Sequence, residues 1–178
     1  MKSILTKVNL GPVYDTMSSC NISMLNEKLM NVNSVLWKND VENKPKLRTY
    51  VQLKSTFATE KYVLFNLERK EKSLLAQLRF GNLPLRIETG RYVDEKVEDR
   101  LCTLCTAGTI EDEIHFIFHC DRYKDIRNSF IENVNNSCIT FEFMSIVEKL
   151  VYLFENKARQ LAKFVCKAYS IRRSVIYN

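Results

Sequence analysis

The stretch Cys102-Thr103-Leu104-Cys105-Thr106-Ala107-Gly108-Thr109-Ile110-Glu111-Asp112-Glu113-Ile114-His115-Phe116-Ile117-Phe118-His119-Cys120 gathers three sulfur donors and an imidazole in the pattern Cys-x2-Cys-x9-His-x4-Cys. That order and spacing is what a tetrahedral zinc site requires. Two cysteines separated by two residues reach one ion from a tight turn, and His115 and Cys120 supply the other half from a helix and its end. Four protein ligands, Cys102, Cys105, His115 and Cys120, close the coordination sphere. A closed sphere leaves no position for water or for a small-molecule substrate, so the expected role of the zinc is structural.

Helical phase bears on which histidine binds. Thr109 followed three residues later by Asp112 resembles a capping box, which predicts a helix starting near Ile110. Ile110, Ile114, Ile117 and Phe118 then share a face. At about 100° per residue His115 borders that stripe and His119 turns toward the polar side. Cys120 lies too far round from His115 in an unbroken helix, so the helix is expected to fray or end there. A site of Cys102, Cys105, His115 and His119 is the alternative, although its nine-residue gap is short of the roughly twelve of a ββα finger. Cys102 and Cys105 alone could form a redox pair, but that motif belongs beside a βαβ pattern.

Outward from this stretch the sequence reads as mostly helical. Four glycines and three prolines in 178 residues leave few tight turns, which argues against a sandwich or barrel. A chain of this length buries about 70% of its unfolded surface, so zinc is needed to organise a region and not merely to compensate for small size. Apolar residues at Leu67, Leu74, Leu75 and Leu78 mark a helix over 67–80, ended by Gly81 and Pro84. Shorter helices are expected over 47–57 and 59–66, the second with Thr59 as N-cap. Further helices are expected over 122–134, 141–154 and 158–176, and a weaker one over 16–37. Asn39 to Pro45 is the candidate linker. The expected organisation is an N-terminal helical or linker segment (1–45), a helical zinc-binding domain (46–135), and a C-terminal helical pair (136–178) whose final helix is basic. Cys20, Cys138 and Cys166 read as small buried hydrophobes of a reducing, intracellular compartment. No signal-peptide core is present and no run of about 18 apolar residues could span a bilayer, so no membrane association is expected.

The net charge of +6 conceals a pattern. Residues 1–45 carry +1, 46–91 carry +6, 92–155 carry −7 and 156–178 carry +6. The zinc segment is acidic and its helical flanks are basic, so a polyanion would meet the flanks. In the last helix Arg159, Lys163 and Lys167 fall four apart, a spacing at which like charges repel by about 0.2 to 0.5 kcal/mol per pair. A solvated charged face tolerates that repulsion, and a phosphate backbone would relieve it.

Catalysis finds no support in the sequence. The acidic clusters at Asp94, Glu95, Glu98 and Asp99 and at Glu111, Asp112 and Glu113 could in principle hold magnesium, but they read more simply as solvated turns and helix starts. No Asp-Asp dipeptide, P-loop, Gly-x-Ser-x-Gly or His-Glu-x-x-His occurs.

Leu47-Arg48-Thr49-Tyr50, the run Leu75-Ala76-Gln77-Leu78-Arg79-Phe80-Gly81 through Glu88-Thr89-Gly90-Arg91-Tyr92, Arg100-Leu101-Cys102-Thr103-Leu104-Cys105, and Glu111-Asp112-Glu113-Ile114-His115 with Cys120 together resemble the C-terminal region of non-LTR (LINE-type) retrotransposon reverse transcriptases. The resemblance covers roughly residues 46–130, and its specific part is the set and order of zinc ligands. It implies a CCHC zinc motif that follows a polymerase domain and grips template RNA or target DNA. The aromatic-x-Asp-Asp palm signature is missing, so the resemblance implies a non-enzymatic tail or remnant of an RNA-directed DNA polymerase polyprotein. On this reading Arg69, Lys70, Lys72, Arg79, Arg159, Lys163 and Lys167 are the expected contacts to an RNA or DNA backbone. The alternative is a structural zinc domain whose acidic face meets a partner protein.

Overall fold

The computed structural model describes Thr6, Gly11, Pro12 and residues 22–176. The protein is mostly helical, 73% helix with no strand among the described residues, and it carries one His/Cys cluster able to hold a metal ion. The chain sorts into two compact units, one of residues 1–45 with 55–58 and one of residues 46–54 with 59–178.

In the first unit the described residues form α1 (Ile22–Glu42). Its described part begins at Ile22 and runs through most of the expected linker. Lys38 with Glu42 and Asp40 with Lys44, each four residues apart, favour continued helix across that stretch. Residues 16–21 of the expected helix, and Cys20, lie outside the described residues. Trp37 meets Phe57 at 6.0 Å between ring centroids.

The second unit contains α2 (Arg48–Leu53), α3 (Lys61–Leu64), α4 (Arg69–Arg79), α5 (Arg86–Thr89), α6 (Lys124–Asn135), α7 (Ile146–Asn156) and α8 (Ala158–Ile176). α8 is the central element and packs against α4, α6 and α7. Its stripe of Leu161, Val165 and Ala168 is fully buried against Leu74, Leu75 and Leu78 of α4 and Leu153 and Phe154 of α7, within one continuous apolar core.

The helix ends follow from local chemistry. Glu71 reaches back to accept the Glu68 N–H at 3.0 Å at the start of α4. The other end closes with the Asn82 N–H on the Gln77 carbonyl and the Gly81 N–H on the Leu78 carbonyl, with Gly81 at φ +68°, a left-handed cap that favours glycine. The helix expected over 141–154 divides into a 3₁₀ turn, Ile139–Phe143, and α7, because Ser145 and Glu148 form a reciprocal capping box that starts a new helix. α3 begins after Glu60 and not Thr59, since the Glu60 carboxylate is drawn inward to Lys54 and Arg79, 2.8 and 2.7 Å away. Cys138 and Cys166 are half-buried against the core edge.

Candidate metal centre

Residues 100–120 build a short ribbon, a turn and a helical hook. Leu101 and Ile110 pair as an antiparallel bridge. The Cys102 N–H donates to the Thr109 carbonyl and the Glu111 N–H to the Arg100 carbonyl, 2.8 and 3.0 Å. Between these rungs the chain turns back on itself, so Cys102 and Cys105 sit at the mouth of the ribbon. The backbone N–H of Leu104 is hydrogen-bonded to the Cys102 sulfur, and that of Arg122 to the Cys120 sulfur. Such donors favour thiolates.

The hook differs from the expected helix. It does not start near Ile110. Asp112 caps it, its Oδ1 accepting the His115 N–H at 2.7 Å, while the Thr109 hydroxyl is engaged with the His115 ring. His115–His119 then forms a π-helical turn, closed by the Cys120 N–H on the His115 carbonyl at 2.8 Å. In an α-helix Cys120 would lie about 140° from His115. The wider turn, with its bond between residues five apart, instead returns Cys120 toward the His115 side, and extended backbone at Cys120 ends the helix there. Phe116 and Ile117, fully buried, anchor the hook, and Arg127 of α6 donates to the Cys120 carbonyl at 2.7 Å.

One donor atom from each of Cys102, Cys105, His115 and Cys120 lies within 4.8 Å of all the others. The Cys102 and Cys120 sulfurs are 3.9 Å apart and the Cys105 sulfur is 3.4 Å from His115 Nε2. Metal–sulfur bonds of about 2.3 Å and metal–nitrogen bonds of about 2.0 to 2.1 Å at tetrahedral angles would set these separations at about 3.8 and 3.6 Å. The four residues therefore fit a single tetrahedral ion. His119 is exposed and outside the cluster, so the arrangement brings together the three-cysteine set and not the two-histidine alternative.

With Nε2 facing the cluster, His115 carries its proton on Nδ1 and donates it to Thr109 Oγ1, 2.9 Å away. This bond fixes the ring, as outer partners of metal-bound imidazoles do. Thr109→Val is expected to lower metal affinity by about 10- to 100-fold with the fold intact, as read by competition with a chromophoric chelator. The Cys102 thiol is pulled down to about 5, chiefly by its hydrogen bond with Cys120, whose thiol the same bond and burial push up.

Around the cluster the acidic run is neither solvated nor free. Glu111 is 1% exposed and forms a two-pronged pair with Arg172 of α8, 2.8 and 2.9 Å, while its Oε2 also accepts the Arg86 N–H at 2.8 Å. Burial works against the Arg172 charge, and the Glu111 carboxylate more than offsets it. Glu113 is 3% exposed and accepts from Arg48 at 2.8 Å and Thr49 at 3.1 Å; burial pushes its carboxyl up against the pull of Arg48. The metal segment is thus bolted to α2, to α5 and to α8. Arg100 holds the preceding loop, donating to the Ile87 and Glu95 carbonyls, and its side chain lies where any Cβ on Gly90 would fall.

The expected backbone contacts divide. Arg69, Lys70, Arg159, Lys163 and Lys167 are exposed, and Lys72 is half-buried and donates to the Val63 carbonyl at 3.2 Å. Arg79 departs from the expectation. It is 1% exposed, paired with Glu60 at 2.7 Å and lodged 5.7 and 5.0 Å from the Tyr50 and Phe154 ring centroids, so it cannot meet a phosphate in this structure. Sequence reasoning gave Thr109 the role of a helix cap and not of the partner of His115, and it assigned no role to Arg48 or to the Glu111–Arg172 pair. For Arg172 a signal existed: with Leu161, Val165 and Ala168 it continues the apolar stripe at steps of four, three and four.

Fold and cluster together define a helical protein with a Cys3His metal-ligand set. No family model, curated protein or solved structure matches the chain.

Proposed function

We propose that this protein is a zinc-stabilised nucleic-acid-binding region of the type found at the C-terminal end of non-LTR retrotransposon reverse transcriptases, working beside a polymerase domain whose palm signature this sequence lacks. The donor set supports zinc as the ion: three thiolates and an imidazole at tetrahedral spacing suit it, and a closed sphere makes it structural. The free thiols suit a reducing, intracellular setting. No helix among the described residues is long and apolar enough to cross a membrane.

One observation carries the nucleic-acid reading. α8 contains five basic residues and no acid; Arg172 is turned inward to Glu111, and the other four, Arg159, Lys163, Lys167 and Arg173, are exposed with Gln160, Ser170 and Ser174. From Arg159 to Arg173 this face runs about 21 Å, enough to meet several phosphates in a row. The pair at Glu111 ties the inward side of the same helix to the metal segment, so the zinc acts as a fastening and the helix as the contact.

A titration of labelled RNA and duplex DNA at two salt concentrations tests the proposal. Binding should fall by about 0.9 log units per log unit of salt for each duplex phosphate neutralised, and about 0.7 for a single strand. Absence of binding at low salt would sink it. That outcome would favour a protein-interaction domain, a reading that draws on Ile139 and Phe143, 86% and 85% exposed in the turn before α7.

A further inference from the structure

We infer that the groove between α6 and α8 is a seat for single-stranded nucleic acid; this rests on the nucleic-acid reading above and assigns it to one side of α8. The exposed face of α8 borders two clefts. The cleft toward α4 is lined by Glu68 and Glu71 together with Arg159 and Lys163, so its carboxylates balance its cations. The cleft toward α6, about 590 Å³, is lined by Lys157, Lys163 and Lys167 with Asp125 as its one acid. A polyanion is attracted by the second cleft and gains little from the first.

The lining of the second cleft also selects the form of the polymer. Lys163 and Lys167 stand on its α8 side and Lys157 just before that helix, where a sugar-phosphate backbone would run. Its apolar floor is the half-buried Ile126 over Phe130 and Phe164, which are 7% and 3% exposed and stack on each other 4.9 Å apart at 15°. Axes of packed helices lie about 8 to 10 Å apart, so the groove between them admits one strand. An unpaired base can turn toward Ile126 and the part of that floor left open while its phosphates stay with the lysines, so the lysines and not ring stacking supply most of the attraction. A duplex keeps its bases stacked inside and reaches the lysines alone.

The test is fluorescence anisotropy with a labelled 12-nucleotide RNA, the matching DNA strand and the 12-base-pair duplex, on the full zinc-loaded chain. Single strands are expected to bind at least about tenfold more tightly than duplex. A Lys157→Gln, Lys163→Gln, Lys167→Gln variant, with helix content and zinc unchanged, should lose most of that binding, and its salt slope should flatten by about 2, as for three single-strand phosphates. Asp125→Asn should move binding the other way, tightening it severalfold, a gain that a merely structural role would not produce. A Lys96→Gln variant, at an exposed position in the acidic segment away from α8, should bind nearly as the parent does. Unchanged binding by the triple variant, or duplex bound as tightly as strand, overturns the groove while leaving nucleic-acid binding standing. Competition by polyglutamate as strong as by the strand overturns it in favour of an acidic protein partner. No binding of any nucleic acid takes down both readings.

Discussion

A Cys120→Ala protein is expected to emerge from purification with little zinc and with residues 100–123 open to hydrogen exchange, while α4 and the first turns of α8 stay protected. Cys120 is fully buried and is the ligand that the π-turn exists to place. Its removal leaves three ligands and an open position, and exposes the remaining site to water. Structural zinc contributes about 10 to 16 kcal/mol of apparent binding energy in finger peptides, so one ligand of four is worth on the order of 3 kcal/mol, a hundredfold or more in affinity. The same apolar core extends well beyond this segment, and its residues on α4, α7 and α8 keep their mutual packing. Chelation of the parent protein should reproduce the same local opening. His119→Ala is the contrasting variant: its ring is outside the cluster, so zinc content should be unchanged. Loss of zinc in that variant with retention in Cys120→Ala would reverse the ligand assignment.

Glu111→Ala is expected to cost about 3 to 5 kcal/mol in urea unfolding, comparable to losing the metal ligand. The substitution strands the Arg172 guanidinium in the interior and removes the acceptor for the Arg86 N–H as well. Arg172→Ala should cost a similar amount, because the carboxylate is then the stranded charge. The two changes should not add. A Glu111→Leu, Arg172→Met protein removes both charges and fills the space, and it should come within about 2 kcal/mol of the parent, the remainder reflecting the orphaned Arg86 N–H. Costs that simply summed in the double variant would mean that the pair does not act as a unit.

Much of this was legible in the sequence, and what was not has a common cause. The ligand spacing identified the four residues because coordination is short-ranged and local in sequence. The bounds of α4 followed from an apolar stripe stopped by Gly81 and Pro84, and those of α6 and α8 from apolar residues three and four apart. The expectation failed where a charge lay on such a stripe. Arg79 sits one turn after Leu75, and Arg172 one turn after Ala168, so both point inward despite their charge. Each finds its carboxylate far away in sequence, at Glu60 and Glu111, and pairing over that distance leaves no periodic trace. The acidic run misled for the same reason: Glu111 and Glu113 look solvated until Arg172 and Arg48 are brought to them. The π-turn was hidden too. The phase argument recognised that Cys120 could not share a face with His115 in regular helix, but a frayed end and a wider turn both resolve that conflict, and only tertiary packing of Phe116 and Ile117 selects the latter.

The central claim is that Cys102, Cys105, His115 and Cys120 hold one zinc ion. X-ray absorption at the zinc edge on protein purified without affinity-tag histidines tests it most directly. One equivalent of zinc is expected, with three sulfurs at about 2.3 Å and one nitrogen at about 2.0 to 2.1 Å. A sphere of two sulfurs and two nitrogens would mean that His119 has replaced a cysteine, and a sphere of oxygen and nitrogen, or no stoichiometric metal at all, would contradict the account.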